Sequence, residues 1–156
     1  MSLETYTRMH VVISLIGIGS GLVVVFGMLK GRLLHGWNGL FLLTTVLTSV
    51  TGFGFPFEHL LPSHKVGIIS LVVLAIAIVA RYGKNLAGSW RRTYIITAVI
   101  ALYLNCFVLV VQGFMKVPAL HAMAPTQQEP PFLAAQLVLL AIFIGLGAGA
   151  VKKFRN

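Results

Sequence analysis

Five long runs of apolar residues dominate this sequence, and they leave little room for any fold other than a set of membrane-spanning helices. Each run is about 20 residues long, the length that a helix needs to cross the hydrocarbon core of a bilayer. Apolar residues make up 58% of the chain and charged residues only 10%, whereas about a quarter of the residues in a soluble domain are charged. The sequence therefore predicts an all-α integral membrane protein.

The runs predict a bundle of five transmembrane helices that forms a single transmembrane domain, residues 1–156. We place the spans at about residues 9–29, 37–55, 64–82, 92–114 and 132–151. The first run is interpreted as a span rather than as a signal peptide. Glu4 and Arg8 precede it, and no small-residue cleavage site follows it.

The positive charges are distributed unevenly between the two ends of these spans. Nine of them lie in the first and third connections and in the tail, with no acidic residue among them: Lys30, Arg32, Arg81, Lys84, Arg91, Arg92, Lys152, Lys153 and Arg155. By the positive-inside rule these nine face the cytoplasm. The N-terminus is then outside and the C-terminus cytoplasmic, in the plasma membrane (the inner membrane of a bacterium). This topology accounts for the net charge of +9 without a nucleic-acid partner.

Small residues indicate where helices approach one another or a partner within the bilayer. Gly17 and Gly21 in the first span form a GxxxG pair, and Gly145 and Gly149 form another in the last. Both pairs are typical of packing inside a bundle. A homo-oligomer or a larger membrane complex that uses these faces is the alternative.

The fourth span carries two carboxamides, Asn105 and Gln112, near one face, and Tyr103 lies close by. An unpaired polar group in hydrocarbon costs several kcal/mol, so Asn105 must find a partner. One interpretation is a hydrogen bond to the threonines of the second span. The other is that Asn105, Gln112 and Tyr103 contact a buried cofactor or substrate.

In this orientation four of the five histidines fall at the outer ends of the spans. Together with a neighbouring carboxylate and a thioether they make a candidate metal site: His10, Glu58, His59, His64, His121 and Met123. Imidazole with thioether suits copper, imidazole with carboxylate suits zinc or iron, and two facing imidazoles suit haem. No standard spacing such as HExxH is present, so unrelated histidines at the membrane surface are the alternative.

These features predict a small membrane protein that binds a metal ion or haem at its outer face, in redox chemistry or metal handling. Two other functions remain open. The chain could be a non-catalytic accessory subunit of a larger membrane complex, or a carrier for a small, weakly polar solute. No motif identifies a catalytic residue, and the single Cys106 excludes a cysteine-based metal motif within one chain.

Overall fold

The computed structural model describes residues 2–54 and 62–154, and every regular element in these two ranges is a helix. The prediction of an all-α chain is confirmed for this part of the protein. The helices are α1 (Leu3–Leu29), α2 (His35–Gly52), α3 (Pro62–Ile78), α4 (Trp90–Lys116), α5 (Pro118–Met123) and α6 (Pro130–Lys153). A π-helical turn, Val79–Gly83, extends α3.

The first long helix begins and ends at residues that suit helix termini. The Ser2 hydroxyl accepts a hydrogen bond from the backbone N–H of Thr5 at 3.2 Å, as an N-cap does. After the last turn, Gly31 adopts a φ of +72°, and the N–H of Arg32 donates to the carbonyl of Gly27 at 2.8 Å. This Schellman-type end favours a residue without a Cβ, and it directs the chain back into α2.

Within the described ranges, four helices are long and apolar enough to cross a membrane: Leu3–Leu29, His64–Gly83, Trp90–Lys116 and Pro130–Lys153. The apolar character predicted for the first, third, fourth and fifth spans is therefore confirmed. α2 has 18 residues and is not in this group. Its first turns carry His35 and Asn38, and several threonines lower its hydropathy further.

α1 and α2 form an antiparallel hairpin, and the two helices contact each other along their length. Four close approaches follow the interface from the turn to the open end: Gly27 with Leu34, Gly21 with Phe41, Gly17 with Thr44 and Thr45, and His10 with Thr51. The glycines allow this distance, because a Cβ at Gly21 would lie 2.9 Å from the Phe41 ring. α2 thus runs beside residues 10–27 of α1.

The other long helices pack around this hairpin. α3 and the π-helical turn lie beside α2. At one end His64 is near Phe53, which follows α2, and at the other end Tyr82 of the π-helical turn is near Gly39 of α2. α4 packs against both α1 and α3, and α6 packs against α4 and α1. The core between the helices is mostly apolar, and the largest fully buried side chain among the described residues is Tyr94.

Basic residues gather at one end of this helical assembly, which we call the charged end. Side chains and backbone from every long helix meet there: Gly31 with Lys153, His35 with Arg81, Lys84 with Trp90, and Arg91 with Phe154. At the opposite end the Tyr6 hydroxyl donates to the Thr51 carbonyl at 2.6 Å, and the Phe114 and Phe132 rings lie 5.4 Å apart. The separation of charges predicted from the sequence agrees with this arrangement.

The two GxxxG pairs differ in what they contact. Gly17 and Gly21 face α2 and α4, so this face is buried between helices of the chain. Gly149 packs against α1, whereas a Cβ built at Gly145 has no atom of the described residues within 4 Å.

Replacing Gly21 with valine is expected to lower the free energy of unfolding by about 1–3 kcal/mol, because it overpacks the contact between α1, α2 and α4. A Cβ at this position would lie 2.7 Å from Leu102 and 2.9 Å from Phe41. The measurement is a reversible SDS titration in mixed micelles. Gly19→Val is the matched control, since a Cβ at exposed Gly19 meets no described atom within 4 Å. Equal losses in the two variants would contradict the packing of this face.

Candidate ligand-binding site

A cavity of about 640 Å³ lies between α1, α2, α3 and α4, toward the end of the assembly opposite the charged end. Pockets for small ligands and cofactors commonly have volumes of roughly 300–1,000 Å³. Its lining is largely apolar but includes many polar side chains: Thr7, His10, Ser14, Thr45, Thr48, Ser49, His64, Ser70, Asn105, Gln112 and Lys116. A cavity with this many polar side chains inside a bundle of apolar helices is a candidate functional site.

Four of the residues singled out in the sequence lie in this lining: His10 and His64 from the candidate metal site, and Asn105 and Gln112 from the candidate cofactor contacts. Sequence reasoning had treated these as two separate sites, one at the outer ends of the spans and one within the membrane. In the structure His10 on α1 and His64 on α3 line the same cavity as the two carboxamides of α4.

His10 is held in a defined orientation by α2. Its Nδ1 lies 2.8 Å from the Thr51 hydroxyl oxygen, and that hydroxyl donates its own proton to the Leu47 carbonyl at 2.6 Å. Thr51 therefore accepts from His10, so the proton of the neutral imidazole is on Nδ1. Nε2 then carries the lone pair of the ring. A second hydrogen bond of this kind is characteristic of metal-binding histidines.

His64 reaches the same cavity from another helix. It lies in the first turn of α3, its side chain is buried, and its ring centroid is 5.4 Å from that of Phe53. α1 and α3 each pack against α2 and α4, so the two histidines approach the cavity from opposite helices.

Three other predicted site residues are not in the cavity lining. The Tyr103 ring packs toward α6, with centroids 6.2 Å from Phe107 and 5.8 Å from Phe143. His121 lies on α5, where its Nδ1 is 3.3 Å from the Phe114 carbonyl, and Met123 is exposed on the same short helix. α5 follows α4 after one residue, and it holds its side chains outside the four helices that enclose the cavity.

The predicted metal ligands Glu58 and His59 lie outside the described residues. Within residues 2–54 and 62–154, no three His, Cys, Asp or Glu side chains converge as a metal site would require. The histidines that the sequence placed on one surface are thus divided between the cavity, which receives His10 and His64, and α5, which holds His121.

The deep end of the cavity carries two polar atoms that sequence reasoning did not single out as a pair. The Oγ1 of Thr45 and the Nδ2 of Asn105 are both buried, and neither has a hydrogen-bond partner among the described residues. The predicted hydrogen bond from the Asn105 carboxamide to the threonines of α2 is therefore not seen for Nδ2. Both atoms lie beside Gly17, at 3.2 and 3.3 Å from the position of its missing Cβ.

Neither a protein-family model, nor a curated protein, nor a solved structure matches this chain. Over residues 2–54 and 62–154 the fold is all-helical, with four helices apolar and long enough to cross a membrane. A cavity lined by apolar and polar side chains lies between four of the helices.

Proposed function

We propose that this protein binds a small molecule within the membrane, in the cavity between α1, α2, α3 and α4. The observation that carries the proposal is that His10 and His64, from opposite helices, line the same cavity as Asn105 and Gln112. Polar residues that line a cavity within apolar helices are expensive to maintain, and they usually serve a ligand. This function is closest to the predicted carrier for a small, weakly polar solute.

Haem is a second candidate ligand, and the pair of imidazoles favours it over a single metal ion. A haem iron needs only two axial ligands, whereas a zinc or copper site normally needs three or four. Lys116 in the lining offers a positive charge to a haem propionate. Copper, zinc and iron sites that include His121 or Met123 lack this support, because neither residue lines the cavity.

One purification tests both candidates. We expect protein extracted directly into lipid nanodiscs to retain a molecule detectable by native mass spectrometry, and a haem would add a Soret band. His10→Ala and His64→Ala should each reduce its occupancy at least tenfold, since each removes a polar contact to the ligand. His121→Ala is the matched control at the same end of the protein, and it should leave occupancy unchanged.

The outcomes separate the hypotheses. Loss of occupancy in all three variants would favour the metal site that includes His121. A wild-type cavity that yields only bulk lipid, with no metal in elemental analysis and no visible band, would refute the proposed function. The chain would then be better explained as the accessory subunit that the sequence left open.

We also propose that α2 crosses the membrane, which gives five spans with the N-terminus outside and the C-terminus in the cytoplasm. Two observations support this topology. α2 runs antiparallel to α1 beside residues 10–27, and 18 helical residues extend for about 27 Å, close to the thickness of the hydrocarbon core. The basic residues at the charged end would then face the cytoplasm of a bacterial inner membrane.

A further inference from the structure

We propose that the ligand enters this cavity sideways from the bilayer and places a carbonyl oxygen between Thr45 and Asn105, at the deep end. The chemical class that fits is a membrane-dissolved ring compound with ketone oxygens, as in quinones. This inference rests on the proposed function, because it specifies the molecule that the same cavity would hold.

The Thr45 hydroxyl differs from those of its neighbours on α2. The hydroxyls of Thr44, Thr48 and Thr51 each donate to the backbone carbonyl four residues earlier, at 2.6–2.7 Å. Thr45 is 2% exposed, it lines the cavity, and its hydroxyl has no partner among the described residues. A buried hydroxyl that does not use the local carbonyl has its proton available for a molecule in the cavity.

Asn105 supplies a second donor at the same point. Its Nδ2 is buried and has no partner in the described ranges. Like the Thr45 hydroxyl, it lies beside Gly17. One O–H donor and one N–H donor around a small space suit a single acceptor oxygen. A carbonyl oxygen can accept from both, because it has two lone pairs. Because unpaired buried donors destabilise the empty site, a ligand that pairs both gains affinity from them.

The rim of the cavity indicates the route by which the ligand arrives. α1 and α4 approach each other at Gly17 and Gly21, and the cavity extends from there toward the opposite end. Val11 of α1 and Leu109 of α4 both line it, yet they are 42% and 45% exposed. Residues that line a cavity and are also exposed lie at its opening. Val11 and Leu109 are apolar and lie on membrane-spanning helices, so the opening at these residues faces lipid. Leu3 and Lys116, which also line the cavity and are exposed, lie nearer the helix ends.

The lining between the rim and the deep end suits a ring. Ile18 and the α4 residues Ala101, Leu104 and Val108 contribute apolar surface. His10 and Gly17 are two helical turns apart on α1, a distance of about 10 Å. A ring of one or two cycles can therefore contact His10 on one side and the Thr45–Asn105 pair on the other.

The test is equilibrium binding of radiolabelled decylubiquinone to the full chain in nanodiscs. We expect saturable binding to the wild type. Thr45→Val removes only the hydroxyl and should weaken binding about tenfold, the effect of one hydrogen bond. Its stability to SDS should be unchanged or higher, because no hydrogen bond within the chain is lost. Asn105→Leu should weaken binding similarly. The matched control is Thr44→Val, whose hydroxyl already donates to Leu40 and should not affect the affinity.

A second arm tests the route. Val11→Trp places a bulky ring at the lipid-facing opening, and it should slow association severalfold when the quinone is supplied in the bilayer. Ile16→Trp is the control, since Ile16 is exposed on the same helix but is absent from the cavity lining. An unchanged rate with Val11→Trp would overturn the lateral entrance.

The outcomes distinguish this inference from the proposed function. Binding that requires His10 and His64 but is unaffected by Thr45→Val and Asn105→Leu would overturn the carbonyl site and leave the cavity as a binding site. No quinone binding, together with another molecule retained in nanodiscs, would overturn the quinone class only. No quinone binding and no retained molecule would overturn both proposals.

Discussion

Replacing Tyr94 with phenylalanine is expected to lower the free energy of unfolding by about 1–3 kcal/mol, the cost of leaving a buried polar group unpaired. Tyr94 on α4 donates its hydroxyl to the Oδ1 of Asn38 on α2, and both residues are 0% exposed. The Nδ2 of Asn38 already has no partner among the described residues. In the Tyr94→Phe variant, the Oδ1 of Asn38 would lose the hydrogen bond from the phenol, while the Nδ2 would stay unpaired among the described residues.

A double-mutant cycle separates this pairing from loss of packing. Asn38→Leu alone should also destabilise the protein, since it leaves the Tyr94 hydroxyl buried and unpaired. The double variant, Tyr94→Phe with Asn38→Leu, removes both polar groups, so it should be more stable than the sum of the single losses implies. An SDS titration measures all three variants. Tyr82→Phe is the control, because Tyr82 is 52% exposed near the same end of the protein.

Additive losses across the cycle would contradict a hydrogen bond between the two side chains. A Tyr94→Phe variant as stable as the wild type would show that the carboxamide has another partner. Such a result would also count against the described contact between α4 and α2, since Tyr94 is the largest fully buried side chain of the described core.

The helices could be predicted from the sequence because their signal is local. A long continuous run of apolar residues is expected to be helical in a bilayer, since a helix satisfies its backbone hydrogen bonds within the segment itself. The observed helices extend past the predicted spans at most ends, as α1 does from residue 9 back to Leu3. Polar residues at the start of the helix fall outside an apolar pattern: Ser2 is the N-cap, and Thr5 in the first turn donates its N–H to it.

Helical periodicity would have improved the prediction of the site on α4. Asn105 and Gln112 are seven residues apart, two turns of a helix, and both line the cavity. Tyr103 is two residues from Asn105, and residues with this spacing do not share a helix face. Its ring accordingly packs toward α6, against Phe143. The grouping of Tyr103 with the two carboxamides could have been rejected from the sequence alone.

Convergence of side chains from different helices could not be predicted in the same way. Membrane topology places His10, His64 and His121 at one end, but it does not fix the rotation of each helix or the path of a connection. Thr45 also shows this limit. The hydroxyls of Thr44 and Thr45 both lie beside Gly17, and only the structure reveals that Thr44 bonds within its own helix whereas Thr45 lines the cavity without a partner among the described residues.

Labelling of single cysteines in intact cells is expected to give an all-or-none pattern across the membrane. In a Cys106→Ala background, Ser2→Cys and Thr126→Cys should react with a membrane-impermeant maleimide without permeabilisation. Lys84→Cys and Lys152→Cys should react only after the membrane is opened. Nine basic residues without an acidic partner lie on the inner side of this topology, and each would disfavour transfer to the outside.

The same experiment decides whether α2 crosses the membrane. With five spans, positions 2 and 152 lie on opposite sides, whereas with four spans they lie on the same side. Labelling of Ser2→Cys and Lys152→Cys under the same condition would therefore remove α2 from the membrane-spanning set. The proposed entrance from lipid at Val11 and Leu109 would then be wrong. If α2 lies outside the hydrocarbon, the helices cannot enclose this cavity within the membrane. Opposite labelling would support both the orientation and a cavity that is open to the outer leaflet.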